Sequence, residues 1–351
     1  MSGPGQLQLR VVPALTDHRH AWDALVDQQP LPSPFLRTWW LESVAGPRAH
    51  YLLILDGDTL VGGLPLTRRR LPGLSIYRFV GQGPLCPDHL DALALPGRED
   101  EVVACLRTWF RRPGHRTALL VGLVEDSLLA RAWPGWVTTA DVAPYGALPK
   151  DPDTYLMSLS GNLRHNIRRS TRRVDDAGVE SWVATPDTVD RAMQHFGALQ
   201  STREGRGHVV TALPVLTRAI RTGVATGEAR VDVMEARDGA PVAVCITFLD
   251  NERMSLYQVA RSLEQEYRGA GTAQVSAVIR AGIELGCREF DMLRGPETYK
   301  SSFVDCSRDV VALYATHGAR ARAHVRLRAL AKRGKRAAKD VAARVRRDSE
   351  K

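Results

Sequence analysis

Residues 266–303 read E-Y-R-G-A-G-T-A-Q-V-S-A-V-I-R-A-G-I-E-L-G-C-R-E-F-D-M-L-R-G-P-E-T-Y-K-S-S-F. Gly269, Gly271 and Ala273 are small residues where a helix should begin. Val275, Val278, Ile279 and Ile283 then recur at helical spacing. Gly286 is a helix stop, and Phe290 to Leu293 reads as a short buried strand. The stretch is therefore a glycine-rich turn, a helix and a strand. Such a turn leaves backbone N–H groups open at a helix start, where an anion can sit.

Outward from this stretch, the chain falls into two halves of similar order. The first predicts a strand at Leu7–Val12 and helices at Asp17–Val26 and Phe35–Val44. Strands at Tyr51–Leu55 and Leu60–Thr67 flank an Asp56-Gly57-Asp58 hairpin, and Ser75–Val80 forms a third strand. Helix Glu99–Arg112 and strands Thr117–Val124 and Trp136–Val142 follow. Pro144, Pro149 and Pro152 mark a linker. The second half predicts helices at Asp153–Leu159, Asn162–Asp176, Thr188–Gln200 and Leu213–Arg221. Its strands are Arg230–Ala236, Pro241–Leu249 and Arg253–Ala260, then the opening stretch, then Asp309–Ala315. Each half thus reads as helices, a three-strand meander, a crossover helix and strands. A strand–helix–strand crossover makes a parallel pair and a meander makes antiparallel ones. The fold class is α/β (α+β), with two tandem domains of mixed twisted sheet flanked by helices, at 1–147 and 148–317.

At 351 residues, two domains is the natural expectation. No apolar run reaches transmembrane length and no secretory leader opens the chain. The five cysteines are scattered without a C-x-x-C pair, which argues against a metal site and for reduced thiols in a cytoplasm. The net charge of +9 is uneven. Residues 318–351 hold thirteen Lys/Arg and three Asp/Glu, leaving 35 basic and 36 acidic residues in the first 317. This basic tail, with Val325, Leu327, Leu330, Val341 and Val345 interspersed, suits anionic membrane or RNA, or simply a solvated segment.

A meander leading into a crossover helix that starts R-x-x-G-x-A, here Arg268-Gly269-Ala270-Gly271-Thr272-Ala273, resembles the GNAT acyltransferases. The resemblance implies that this turn cradles the pyrophosphate of acetyl-CoA or another acyl-CoA. The first half has no such turn: residues 83–101 place prolines and acids before its helix. One donor site is therefore expected, with the first half walling the acceptor cleft.

F-D-M-L-R-G-P-E-T-Y-K-S-S-F, together with L-S-G-N-L-R-H-N-I-R-R-S-T-R-R from Leu159, resembles the CelD/BcsL-type acetyltransferases of cellulose and exopolysaccharide synthesis. More distantly it is similar to the Fem-type peptidyltransferases, which use aminoacyl-tRNA. That family usually has a serine-proline-glycine turn where this chain has Arg268-Gly269-Ala270-Gly271, which brings it closer to CoA-binding GNATs. In the first half the likeness rests on element order and on P-F-L-R-T-W-W.

The resemblance implies that Tyr299 protonates the leaving sulfur. Asp291 or Glu297 would be the base or orient the acceptor. Lys300 would bind an acidic acceptor. Arg164, Arg168 and Arg172, at i, i+4 and i+8, present a basic helix face suited to phosphate, with Arg169 and Arg173 beside them. Arg203 and His208 belong to a loop over the cleft. The expected activity is acyl-CoA-dependent N- or O-acyl transfer to a sugar or envelope precursor. Aminoacyl-tRNA-dependent peptide-bond formation and a non-catalytic scaffold binding RNA or membrane are the alternatives. Acceptor and oligomeric state have no signature.

Overall fold

The computed structural model describes residues 7–205, 207–295 and 297–327. In chain order the strands are β1 (Gln8–Val12), β2 (Ala49–Asp56), β3 (Thr59–Leu71), β4 (Leu74–Phe79), β5 (Leu93–Ala94), β6 (Arg116–Val124) and β7 (Trp136–Ala147). They continue as β8 (Glu180–Val183), β9 (Ala229–Glu235), β10 (Pro241–Asp250), β11 (Arg253–Arg261), β12 (Glu289–Asp291) and β13 (Cys306–His317). The helices are α1 (Arg19–Asp27), α2 (Thr38–Val44), α3 (Glu99–Phe110), α4 (Leu128–Ala132), α5 (Pro152–Ser158), α6 (Gly161–Asp176), α7 (Val189–Ser201), α8 (Gly207–Thr226), α9 (Ala270–Glu284) and α10 (Lys300–Phe303).

The mixed, helix-flanked sheet foreseen for each half is present. The meanders β2–β3–β4 and β9–β10–β11 are antiparallel, and the pairs β4–β6 and β11–β12 are parallel. What sequence order does not foretell is that all strands join one sheet, β1-β2-β3-β4-β6-β13-β7-β12-β11-β10-β9-β8, with β5 pairing β3. The last strand of each half has crossed into the other. β7, ending the first half, pairs β12, and β13, ending the second, pairs β6. The two exchanged strands also pair with each other from Cys306↔Tyr145 to Tyr314↔Trp136. A boundary at 147/148 divides the chain but cuts across this sheet.

The halves share a core as well. Phe35, Trp39 and Trp40 pack edge-on against Phe248 at 5.4, 5.3 and 5.6 Å, and Phe248 stacks on Tyr257 at 4.8 Å. The P-F-L-R-T-W-W segment is thus an aromatic knot tying the first half to β10 and β11. Tyr257 also donates its hydroxyl to the Leu85 carbonyl at 2.6 Å.

Local departures have packing causes. Helix α8 runs Gly207–Thr226 through Pro214, longer than the expected Leu213–Arg221, because Val209, Leu216, Ala219 and Ile220 are buried. That burial outweighs the proline's lost hydrogen bond. Strand β8 adds an edge that its short, mostly exposed sequence does not advertise. Residues 319–327 are helical, and Ala321 is buried against Leu74, Ile76 and Leu119. The rest of the expected basic tail, from residue 328, lies outside the described residues. No described helix is long and apolar enough to cross a membrane.

Between the halves lies a buried polar junction. Asp88 accepts the Arg294 amide at 2.6 Å, and Arg294 donates its guanidinium to the Pro87 carbonyl at 3.0 Å. Beside them His89 is fully enclosed, and burial pushes its imidazole down to about 4. The unfolded chain titrates this group near 6.5 and so binds more protons between the two values. The stability it contributes is present above about pH 6.5 and is lost as pH falls through about 4, a change of about 3 kcal/mol. His89→Asn keeps a residue that tolerates the local φ of 51°. In urea unfolding at pH 7 and pH 4, this variant should lose about 3 kcal/mol less than wild type. Equal losses would show that another group titrates.

Candidate active site

β11 and β12 pair only over Arg253–Ser255 and Glu289–Asp291. β11 then continues to Arg261 paired only with β10, while the chain after Asp291 stays with β7. Met292 donates its amide to the Pro144 carbonyl at 2.8 Å, and Gly295 to the Val142 carbonyl at 3.0 Å. The exchanged strand therefore draws this segment away from β11 and opens a wedge in the sheet. On the other edge of β11, Gln258 faces Ile246 and Leu256 faces Thr247, leaving Tyr257 as an extra residue. That bulge bends the strand beside the wedge.

The wedge is part of a cleft of about 740 Å³. One end is the turn before α9. Gly269 caps the helix at φ 101°, a left-handed conformation that favours glycine. A Cβ there would meet the Ser170 hydroxyl at 2.6 Å, and one on Gly271 would meet Cδ of Arg261 at 2.9 Å. Among the described residues, the Gly269 and Gly271 amides have no hydrogen-bond acceptor. Arg268, Arg173 and Arg261 stand around them, and Arg173 donates to the Arg268 carbonyl at 3.3 Å. Open amides, a helix N-terminus and three guanidiniums match a diphosphate in charge and in donor geometry. At α3 the corresponding first turn carries Glu99, Asp100 and Glu101, which would repel one.

Of the six turn residues expected to hold a cofactor, Arg268, Gly269, Gly271 and Thr272 line the cleft. Ala270 and Ala273 point into the core against Val174, Met234 and Val242. Their smallness lets α9 lie close to its neighbours rather than to a ligand. The basic helix is corrected in the same way. Ile167, Ser170 and Val174 are the buried stripe of α6. The flank facing the cleft is Asn166, Arg169 and Arg173, not Arg164, Arg168 and Arg172. Arg164 caps the preceding turn, donating to the Met157 and Leu159 carbonyls, both at 2.8 Å. Arg168 and Arg172 border a separate groove with α5 and α9. A helix has two flanks beside any buried stripe, and spacing alone does not distinguish them.

At the other end stand Glu297, Tyr299 and Lys300, with Arg203 and His208 on the rim. Tyr299 is 41% exposed and faces the cleft. Lys300 is not available to an acceptor. It is buried, and its ammonium donates to the Leu293 carbonyl at 3.2 Å and the Arg294 carbonyl at 2.9 Å while pairing Glu297 at 3.1 Å. Those three partners use its three donors and hold the 293–300 turn. Gly295 makes room: a Cβ there would collide with Glu297 Oε2.

Asp291 is also corrected. It does not line the cleft. Phe290 and Met292 belong to the core beneath α9, so Asp291, between them, projects from the other face of the sheet. It accepts the Leu293 amide at 2.7 Å and pairs Arg308 at 2.9 Å, with Nε2 of His89 at 3.6 Å. Burial pushes its carboxyl above the usual carboxylate range, while Arg253 and Arg308 pull it back. It is a structural carboxylate in the junction between the halves.

Sequence reasoning missed Arg261 and Arg294, and it missed the first half's contribution: Pro84, Cys86 and Asp141 also line the cleft. Nothing local to Asp141 signals this, because β7 reaches the cleft only by strand exchange. Among the described residues the cleft is lined by seven Lys/Arg against Asp141 and Glu297. No group of His, Cys, Asp and Glu among them could hold a metal ion.

Residues 161–301 match the family model described as an acetyltransferase (GNAT) domain. No curated protein sequence matches the chain. Among solved structures, FemX is similar with a TM-score of 0.60 at 10% identity, over 84% of this chain and 95% of that one. L-PGS from Bacillus licheniformis gives 0.54 at 11% identity, over 84% and 91%. A conserved protein of unknown function from Bacteroides thetaiotaomicron gives 0.55 at 11%, over 88% and 100%. At these identities the likeness is one of fold.

Proposed function

We propose that this chain, with its GNAT domain across residues 161–301, is an acyl-CoA-dependent acyltransferase. It moves an acetyl or other acyl group to an amine or hydroxyl of a sugar or cell-envelope precursor by direct attack on a thioester. The carrying observation is the cradle: two open glycine amides at the start of α9, ringed by Arg173, Arg261 and Arg268. Bound coenzyme A would supply the thioester carbon and the thiol leaving group. The wedge between β11 and β12 admits the donor's narrow arm to the middle of the sheet. The bulge at Tyr257 leaves backbone there without a strand partner, suited to donate to the oxygen that gains charge during attack. The Tyr299 hydroxyl supplies the proton the departing sulfur needs. Glu297, oriented by Lys300, is the carboxylate beside it. The C-terminal motifs' likeness to CelD/BcsL-type enzymes favours an exopolysaccharide-related acceptor, and five free cysteines favour a cytoplasmic setting.

Tyr299→Phe should lower kcat for thiol release from acetyl-CoA by about 100-fold and leave coenzyme A affinity unchanged. An unchanged kcat would remove Tyr299 from the chemistry. Donor identity is read from melting temperature: coenzyme A should raise it in wild type. The seven cations along the cleft keep a second reading in play, an aminoacyl-tRNA donor. No shift with coenzyme A, together with salt-sensitive retention of charged tRNA, would replace the first reading by the second.

A further inference from the structure

Residues 136–140 open β7 with the sequence W-V-T-T-A and are all exposed, Trp136 at 47% and Val137 at 39%. One edge of this run pairs β13, from Thr139 with Val311 to Trp136 with Tyr314. The other edge is bare. The β7–β12 ladder covers only Tyr145, Gly146 and Ala147, and the chain beyond it reaches back no further than the Val142 carbonyl, which takes the Gly295 amide. Among the described residues, no backbone group outside β13 bonds to the backbone of residues 136–141.

Ladder alternation says which groups are free. Pro144 and Val142 turn their carbonyls away from β13, so Asp141 faces it. Val311 then pairs Thr139 rather than Ala140, and this bulge at Ala140 shifts the alternation. Trp136 and Thr138 therefore bond β13, while Val137 and Thr139 each point an N–H and a C=O into open space.

Natural sheet edges are usually blunted by a charge or a proline that keeps a second strand from adding. This one is not. From Ala132 to Ala140 the chain has no charged residue. Pro134 lies just before the run and, lacking an N–H, ends the available ladder there. Gly295 closes the other end at Val142. Between them remains a short, uncharged window rich in residues that favour strands.

We infer that this edge is an interface between two copies of the chain, paired antiparallel through residues 136–140 about a two-fold axis at Thr138. The run is its own complement in that register. Val137 meets Thr139 of the second copy and Thr139 meets Val137, so each of these residues donates one hydrogen bond and accepts one. Thr138 meets its own image in the closely spaced, non-hydrogen-bonded pair. Trp136 lies across from Ala140, the large side chain against the small one. The absence of charge matters most for a copy, because any charge in the window would face itself or its like across the axis. None of residues 136–140 lines the cleft, so the inference holds whichever donor the cleft takes.

Two such short edges make a small interface, below about 1,200 Å², the class of weak and transient complexes. Sedimentation of the full chain from about 1 to about 300 μM should show monomer and dimer in exchange, half-associated at about 10–100 μM. Thr138→Lys sets two ammonium groups against each other across the axis. It should weaken the dimer at least about 10-fold and leave the melting temperature of the dilute chain unchanged. Cysteine substitution reads the register. The Cα atoms of a non-hydrogen-bonded pair lie about 4.5 Å apart, within reach of a disulfide. Val137 and its image are diagonal neighbours at about 7–8 Å, out of reach. On oxidation Thr138→Cys should form a covalent dimer, while Val137→Cys and wild type, with its exposed Cys86 and Cys306, should not. A chain that stays monomeric to about 300 μM overturns the inference and leaves the edge to a different partner. A dimer that Thr138→Lys does not weaken overturns it too, as does Val137→Cys cross-linking as readily as Thr138→Cys.

Discussion

Gly271→Asp should fold like wild type and lose coenzyme A. Gly271 sits in the first turn of α9 with its amide open. An added Cβ would press on Cδ of Arg261 at 2.9 Å, the stem of a flexible side chain that can move aside. A carboxylate at a helix N-terminus contributes about 0.3–1 kcal/mol of stability, so the unliganded melting temperature should hold or rise slightly. The same carboxylate would fill the place proposed for the donor's diphosphate and neutralise part of the Arg173, Arg261 and Arg268 ring. Donor affinity should fall at least about 100-fold, which is about 2.7 kcal/mol. Calorimetric titration of both proteins with coenzyme A checks it. Equal affinity in the variant would place the anion away from this turn.

Asp291→Ala should have the opposite signature, a large loss of stability. It removes the buried partner of Arg308 and the acceptor of the Leu293 amide at a residue with φ 51°. Unpairing a buried ion pair costs about 3–5 kcal/mol. Arg308 keeps Glu289 at 2.8 Å and its place over the Tyr145 ring, so the expected cost is toward the lower end, about 3 kcal/mol. Urea denaturation at pH 7 reads this directly. Asp291→Asn separates structure from chemistry, because an amide oxygen can still accept from Leu293 while a proton acceptor is gone. Turnover per folded molecule should survive in Asp291→Asn. A collapse of turnover without loss of stability would return Asp291 to the reaction.

These two residues lie within the stretch that reads most clearly as sequence, yet only one of them could be interpreted there. Gly269 and Gly271 announce a turn because a left-handed helix cap is a local demand that glycine meets. Asp291 was visible as a carboxylate in an apolar strand, but alternation along a strand does not say which face meets the cleft and which the core. The same ambiguity set Arg164, Arg168 and Arg172 against Arg169 and Arg173 on α6. Lys300 stands in a motif that suggests acceptor binding, and its three acceptors appear only once the 293–300 turn has closed.

By itself the sequence determined the main elements and their order: the D-G hairpins, the two meanders, the crossover helices and the single glycine-rich turn. Each depends on periodicity and turn chemistry within about ten residues. Only the tertiary structure decided that β7 and β13 trade places. Strand pairing depends on which edges meet after the chain collapses, and β7 and β13 are separated by more than 150 residues. That exchange holds residues 292–295 away from β11, opens the wedge, and carries Asp141 from the first half into the cleft of the second.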